Sequence, residues 1–369
     1  MPITNKLKFA TQERTTQDST ASSTWSNQGT VLSSSHLSAN KEYFILNWIN
    51  CTSPGTNDGA TKLAFEGGAG DLVGSVHQRH DTNSSGMYVG HLGQFTCPDP
   101  PESIGVYRKR LFGSLTEETD YGQTFIIDLS FSGLSGAITS GTDFSSNIRT
   151  DSRTIGPTSN IATHTVNHGG TNLVAASVKI IDANVATDAL VGLYIDGSLV
   201  SSGSRYSQDA SDMKQLILAG AYNISGGENI ELRNLDTNNI STNYSYIFTL
   251  NLDDAPTVEH TGQMLNWTDH NSSGTWGTQT IDGNQDQSFI MAMGRQLETG
   301  AESGRQASIS LRNNTTNQWM LFGQRPSGNF NPLYFPAVNY GADQGQLETS
   351  VIIGTGSVGD SAEIEMVSL

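Results

Sequence analysis

The chain has 369 residues, of which only 15% are charged and 35% hydrophobic, and 39 glycines lie among long runs of Ser, Thr and Asn. That composition excludes helical bundles, coiled coils and helical rods, which need more Ala, Leu, Glu, Lys and Arg. Thirty-six acids against 19 bases give a net charge of −17, a sign that repels phosphate, so no nucleic-acid partner is expected.

The opening stretch MPITNKLKFATQERTTQDST lacks the apolar core of a secretion signal, and no window approaches the roughly 20 apolar residues of a membrane span. A soluble product kept in the cytoplasm, without a membrane partner, is the expectation. Residues 1–22 carry three bases and two acids. Poor in large apolar groups, they predict an extended arm that orders on a partner, with Lys6, Lys8, Phe9 and Arg14 as candidate anchoring residues.

The first unit, 23–133, predicts strands at 41–48 (KEYFILNW), 62–65, 72–79, 87–95, 102–107 and 123–129, separated by Gly, Pro, Asn and Asp clusters. A Gly/Ser/Thr-rich linker covers 134–150. The second unit, 151–253, predicts strands at 173–181, 191–195, 198–205, 216–221, 228–232 and 246–250. Its Asp196-Gly197 pair predicts a two-residue type I′ hairpin, because both residues tolerate positive φ. The best helix candidate is 208–218, where Met213, Leu216 and Ile217 fall at helical spacing, although 216–218 also suits a strand. A short linker at 254–260, containing Pro256, leads to the third unit, 261–369. Its strands are expected at 288–293, 307–311, 319–325, 333–338, 349–353 and 362–367.

The three units resemble one another in strand spacing. Thr24-Trp25-Ser26-Asn27-Gln28 and Thr275-Trp276-Gly277-Thr278-Gln279 open the first and third alike. The predicted fold is all-β: three tandem β-sandwich domains of jelly-roll-like type, as internal repeats, behind an extended N-terminal arm.

Chemical motifs are sparse. Residues 354–359 spell the glycine pattern of dinucleotide-binding turns, but a strand and not a helix follows, so a glycine loop between strands is expected. His77, His80 and His91 have no carboxylate or cysteine partners at ligand spacing, and strand geometry sends His77 and His80 to opposite faces. Asp282, Asn284 and Asp286 resemble part of a calcium loop without its bidentate Glu. Glu117-Glu118 and Asp253-Asp254 are adjacent in sequence, unlike the separated carboxyls of a glycosidase. Cys51 and Cys97 are too few for a disulfide scaffold, and the Asn-x-Ser/Thr tripeptides follow from composition. No enzyme activity, cofactor or metal is therefore expected. Trp25, Trp276, Trp319, Tyr334 and Phe335 are candidates for glycan stacking or for packing at interfaces.

Together the arm, the tandem β units, the acidic Gly/Ser/Thr/Asn-rich composition and the scarcity of cysteine resemble the structural proteins of tailed-bacteriophage virions. The resemblance is one of class and rests on no single motif. It implies a capsid-decorating or fibre-like protein, assembled in the host cytoplasm, trimeric like many such proteins, and bound to other virion proteins of the capsid, neck or tail. The alternative is a receptor-binding tail fibre or spike that recognises a host surface glycan.

Overall fold

The computed structural model describes residues 9–14, 18–52, 57–72, 78–82, 87–112, 117–133, 136–181, 187–207, 213–252, 274–280, 288–297, 307–313, 318–319, 333–335, 347–356 and 361–368. In chain order the first strands are β1 (Phe9–Arg14), β2 (Asp18–Thr20), β3 (Ser26–Leu32), β4 (Glu42–Thr52), β5 (Asn57–Phe65), β6 (Gln78–Thr82), β7 (Met87–Thr96), β8 (Ile104–Phe112) and β9 (Glu117–Asp128). A small pair, β10 (Ser132–Gly133) and β11 (Gly136–Ala137), leads to β12 (Phe144–Arg149), β13 (Arg153–Ile155), β14 (Asn160–Thr165), β15 (Gly170–Ile181), β16 (Thr187–Ile195), β17 (Ser198–Ser207), β18 (Met213–Ile224), β19 (Asn229–Asn234) and β20 (Ile240–Asn251). The remaining strands are β21 (Gly274–Thr280), β22 (Ser288–Leu297), β23 (Ala307–Asn313), β24 (Gln318–Trp319), β25 (Leu333–Phe335), β26 (Leu347–Gly356) and β27 (Ser361–Ser368). The one helical element among the described residues is a single 3-10 turn, Ser34–His36.

The first two units have the same strand order. One sheet of the first unit runs β1-β9-β4-β7 with β2 also on β9, and the other runs β3-β8-β5-β6. In the second unit the order is β12-β20-β15-β18 with β13 on β20, facing β14-β19-β16-β17. The third unit's described strands pair as β21-β27-β23-β24, with β25 on β23, and as β22-β26.

Residue pattern explains how the sheets are layered. In β19, Ile230 and Leu232 are buried while Asn229, Glu231 and Arg233 are half-buried, the alternation of a sheet with one wet face. In β4, Tyr43, Phe44, Ile45 and Leu46 are all buried, as are Tyr246, Ile247 and Phe248 in β20. Continuous burial needs cover on both faces, and the cover is mutual. Tyr43, Ile45 and Ile49 join Val31, Leu63, Val106 and Ile126 in the first core, whereas Phe44 turns the other way and stacks on Phe248 at 4.4 Å between ring centroids. Ile247 joins Val174, Val178, Leu193, Leu218 and Leu232 in the second core. The β4 and β20 sheets are therefore inner layers, pressed together along a seam, and the β8 and β19 sheets are outer ones. Across the seam the Tyr246 hydroxyl donates to Gln94 Oε1 at 3.0 Å.

Several sequence expectations change. Residues 9–14 and 18–20 of the expected arm are strands β1 and β2, which pair with β9 as part of the first inner sheet, and the Gln12 side chain accepts the Ser33 N–H at 2.6 Å; residues 1–8 lie outside the described residues. Residues 144–149 of the expected linker are strand β12, paired with β20. The helix candidate is strand β18 from Met213 onward: Leu216 and Leu218 point into the core while Ile217 and Ala219 are buried on the opposite face, a period of two. Residues 208–212 lie outside the described residues. The Asp196-Gly197 hairpin forms as expected, with φ of 45° and 79° joining β16 to β17.

Candidate functional site

The most elaborate described surface lies on the first outer sheet. β5 and β8 pair with Lys62 opposite Tyr107, and β3 adds the segment that begins beside Trp25. The Trp25 ring lies 5.0 Å from the Lys62 ammonium and 4.7 Å from that of Lys109, and Lys62 also sits 5.8 Å from the Tyr107 ring. Asp71 fixes Lys62 with a 2.5 Å ion pair. Glu66 reaches across the sheet to accept from Asn27 Nδ2 at 3.1 Å and from Thr30 Oγ1 at 3.0 Å. That crossing needs Gly105 beneath it, since a Cβ there would approach Glu66 Oε1 to 2.8 Å. Burial raises the Tyr107 hydroxyl pKa, and the carboxylates of Glu66, Asp71 and Glu102 add to the rise. The result is a rigid platform of two rings, two ammoniums and several carboxylate and amide groups, suited to polar ligands that present hydroxyls and charge.

The second outer sheet carries a smaller counterpart. The Arg233 guanidinium lies 4.2 Å from the Tyr194 ring, its Nε donates to Glu231 at 3.1 Å, and Asn160 Nδ2 donates to the same carboxylate at 2.6 Å. Leu199 beside it is 52% exposed.

Inside the second sandwich, a chain of polar groups links its two sheets. Ser145 Oγ of β12 lies 2.7 Å from His164 Nε2 of β14 and 2.8 Å from Thr249 Oγ1 of β20. Asn172 Nδ2 donates to Gly170 O at 3.0 Å, so its Oδ1 faces His168 and accepts from Nε2 at 2.8 Å. Desolvation, and secondarily the neighbouring His168, push the His164 pKa down from 6.5 to about 4. Because the folded state disfavours the imidazolium, the unfolded chain alone takes up this proton as pH falls from about 6.5 to about 4. Stability is lost across that window and is flat below it, by roughly 3 kcal/mol for this group. Denaturant melts at pH 7 and pH 4 should show the loss, and His164→Gln should reduce the difference between them by about that amount.

The candidate residues from sequence fall in different places. Trp25 is on the first outer face, its ring engaged by two lysines. Phe9 and Arg14 are in β1, Trp276 in β21, Trp319 in β24, and Tyr334 and Phe335 in β25, with side chains outside the described set. Lys6, Lys8, His77, Asp253, Asp254 and the segment 282–286 lie outside the described residues. The same is true of the side chains of His80, Glu117 and Glu118. His91 is in the first core, its Nε2 lying 3.3 Å from Thr61 Oγ1. Cys97 is a buried free thiol whose pKa burial raises. Of the glycine run at 354–359, residues 354–356 are the end of strand β26 and 357–359 lie outside the described residues. Among the described residues no three His, Cys, Asp or Glu gather as metal ligands, and no helix is long and apolar enough to cross a membrane.

No protein-family model matches this chain, and no curated protein does. Among solved structures, it is similar at a TM-score of 0.25 and 12% identity to a viral major capsid protein, the STIV MCP, over 66% of this chain and 97% of that one. It is similar at 0.19 and 8% to the tandem CBM22 domains of Paenibacillus barcinonensis Xyn10C, over 66% and 93%. For PNGF-II the score is 0.26 at 8% identity, over 69% and 66%. Scores this low assign neither fold nor function.

Proposed function

We propose that the chain is a non-enzymatic structural protein of a tailed-phage virion, decorating or projecting from the particle as a homo-oligomer, with a trimer favoured. The observation that carries this reading is the fusion of two sandwiches of one strand order through their inner sheets. Each order, β1-β9-β4-β7 over β3-β8-β5-β6 and its counterpart in the second unit, is read as an eight-stranded jelly roll, an architecture that viral shells and lectins share. A double sandwich buried along a seam is a stiff block that presents outer faces and loops to neighbouring subunits, which suits a particle component. Attachment runs through the N-terminal region, with Lys6 and Lys8 ahead of the first edge strand. Deleting residues 1–8, which leaves β1 and β2 whole, should give a soluble folded protein that no longer joins particles. Unchanged incorporation would refute the attachment.

A second reading, a receptor-binding fibre or spike that recognises surface glycans, is favoured by the Trp25 platform alone. It predicts binding of purified protein on a glycan array, with at least about tenfold weaker signal for Trp25→Ala, since loss of a buried aromatic contact costs more than about 1.4 kcal/mol. No binding to any host polysaccharide would remove this reading.

A further inference from the structure

The second inner sheet holds a lysine that no described group neutralises. Lys179, in the middle of β15, is 9% exposed. Its neighbours across the sheet are Tyr244 of β20 on one side and Gln215 of β18 on the other. All three project from the face that carries Tyr246 and Phe248, away from the second core, because the alternate residues Val178, Leu216 and Ile247 fill that core. Gln215 gives its side-chain N–H to Ser177 Oγ at 3.0 Å. Tyr244, 7% exposed, has a hydroxyl with no hydrogen-bond partner. No described carboxylate or carbonyl bonds the Lys179 ammonium, and desolvation alone acts on it, lowering its pKa.

A buried hydroxyl without a partner costs free energy, and so does partial desolvation of an ammonium; the two side chains stand side by side on paired strands with their origins about 5 Å apart. Both are donors, so they cannot satisfy each other while Lys179 is charged. One acceptor group with two or more oxygens and negative charge would satisfy both. We propose that Lys179 and Tyr244 form a binding site for a small oxyanion of the phosphate or carboxylate class on the seam-facing side of the second sandwich. Bound there, one oxygen takes an ammonium proton in a charge-assisted hydrogen bond and another accepts from the Tyr244 hydroxyl. The inference does not depend on a virion role.

The test is thermal unfolding of the full chain in chloride buffer against buffers containing inorganic phosphate, sulfate or acetate at matched ionic strength, which holds general screening constant. Wild type should gain about 3 °C or more in melting midpoint with one of these anions at tens of millimolar. Preference for phosphate and sulfate over acetate would define a tetrahedral site, and the reverse a carboxylate site. Lys179→Met removes the buried charge while keeping the stem, so it should fold at least as well in chloride and lose the anion response. Tyr244→Phe should weaken the response and leave the chloride midpoint unchanged or raised. Absence of any anion response in wild type, or an equal response in Lys179→Met, would overturn the proposal.

Discussion

Deletion of residues 1–22 should abolish soluble, cooperatively folding protein. β1 pairs with β9 through six successive residues, and β2 extends the contact through three more. Their loss converts β9, 12 residues long, into a bare edge whose unpaired N–H and C=O groups invite aggregation. At about 1 kcal/mol for each net hydrogen bond, the lost ladder alone is on the order of 5 kcal/mol, comparable with the whole stability of an ordinary domain. Soluble yield and a thermal melt compare this deletion with removal of residues 1–8. A cooperative melt within a few degrees of the full chain would show that β1 and β2 do not hold the sheet.

Phe248→Ala should be the most damaging single substitution at the seam, at about 3–5 kcal/mol. The ring is fully buried, stacked on Phe44 at 4.4 Å, and lies 6.3 Å from both Phe144 and Tyr246. It belongs to neither sandwich core, so its loss weakens the coupling between the two sandwiches more than the folding of either. Calorimetry should show one transition resolving into two. Leu218→Ala, inside the second core, should lower stability by about 2–5 kcal/mol without that separation. Combining Phe44→Ala with Phe248→Ala should cost less than the two separate losses together by about 1 kcal/mol, the worth of a stacked pair. A single unbroken transition for Phe248→Ala would mean that the seam does not couple the sandwiches through this ring.

The features that sequence predicts well are those governed by local rules. Asp196-Gly197 is sufficient for its hairpin because positive φ is a property of two residues. The apolar and aromatic runs at 41–48 and 246–250 read as strands because β-branched and aromatic residues favour them, but that both faces are covered emerges only from the contact of Phe44 with Phe248. Edge strands are harder to see. Among the described strands, 9–14 and 144–149 each end a sheet, so Thr, Gln, Ser and Asn are tolerated there and the segments look like arm or linker. At 208–218 helical spacing and strand alternation compete over a short apolar run, and pairing with β15 decides for the strand.

The surface sites depend on long-range register and are not visible in sequence. Trp25, Lys62 and Lys109 are far apart in the chain, and only the alignment of β5 with β8 brings both lysines over one ring. Lys179 is different. A lysine within the apolar strand 173–181 breaks the pattern visibly, but the face it occupies, and Tyr244 beside it, required the pairing of β15 with β20.

Quantitative mass spectrometry of purified particles, from cells in which this chain is produced during infection, tests the virion role most directly. The account predicts that the chain co-purifies through density gradients in tens to hundreds of copies per particle. Its absence from particles, with the chain recovered only in the soluble cell fraction, would contradict that role.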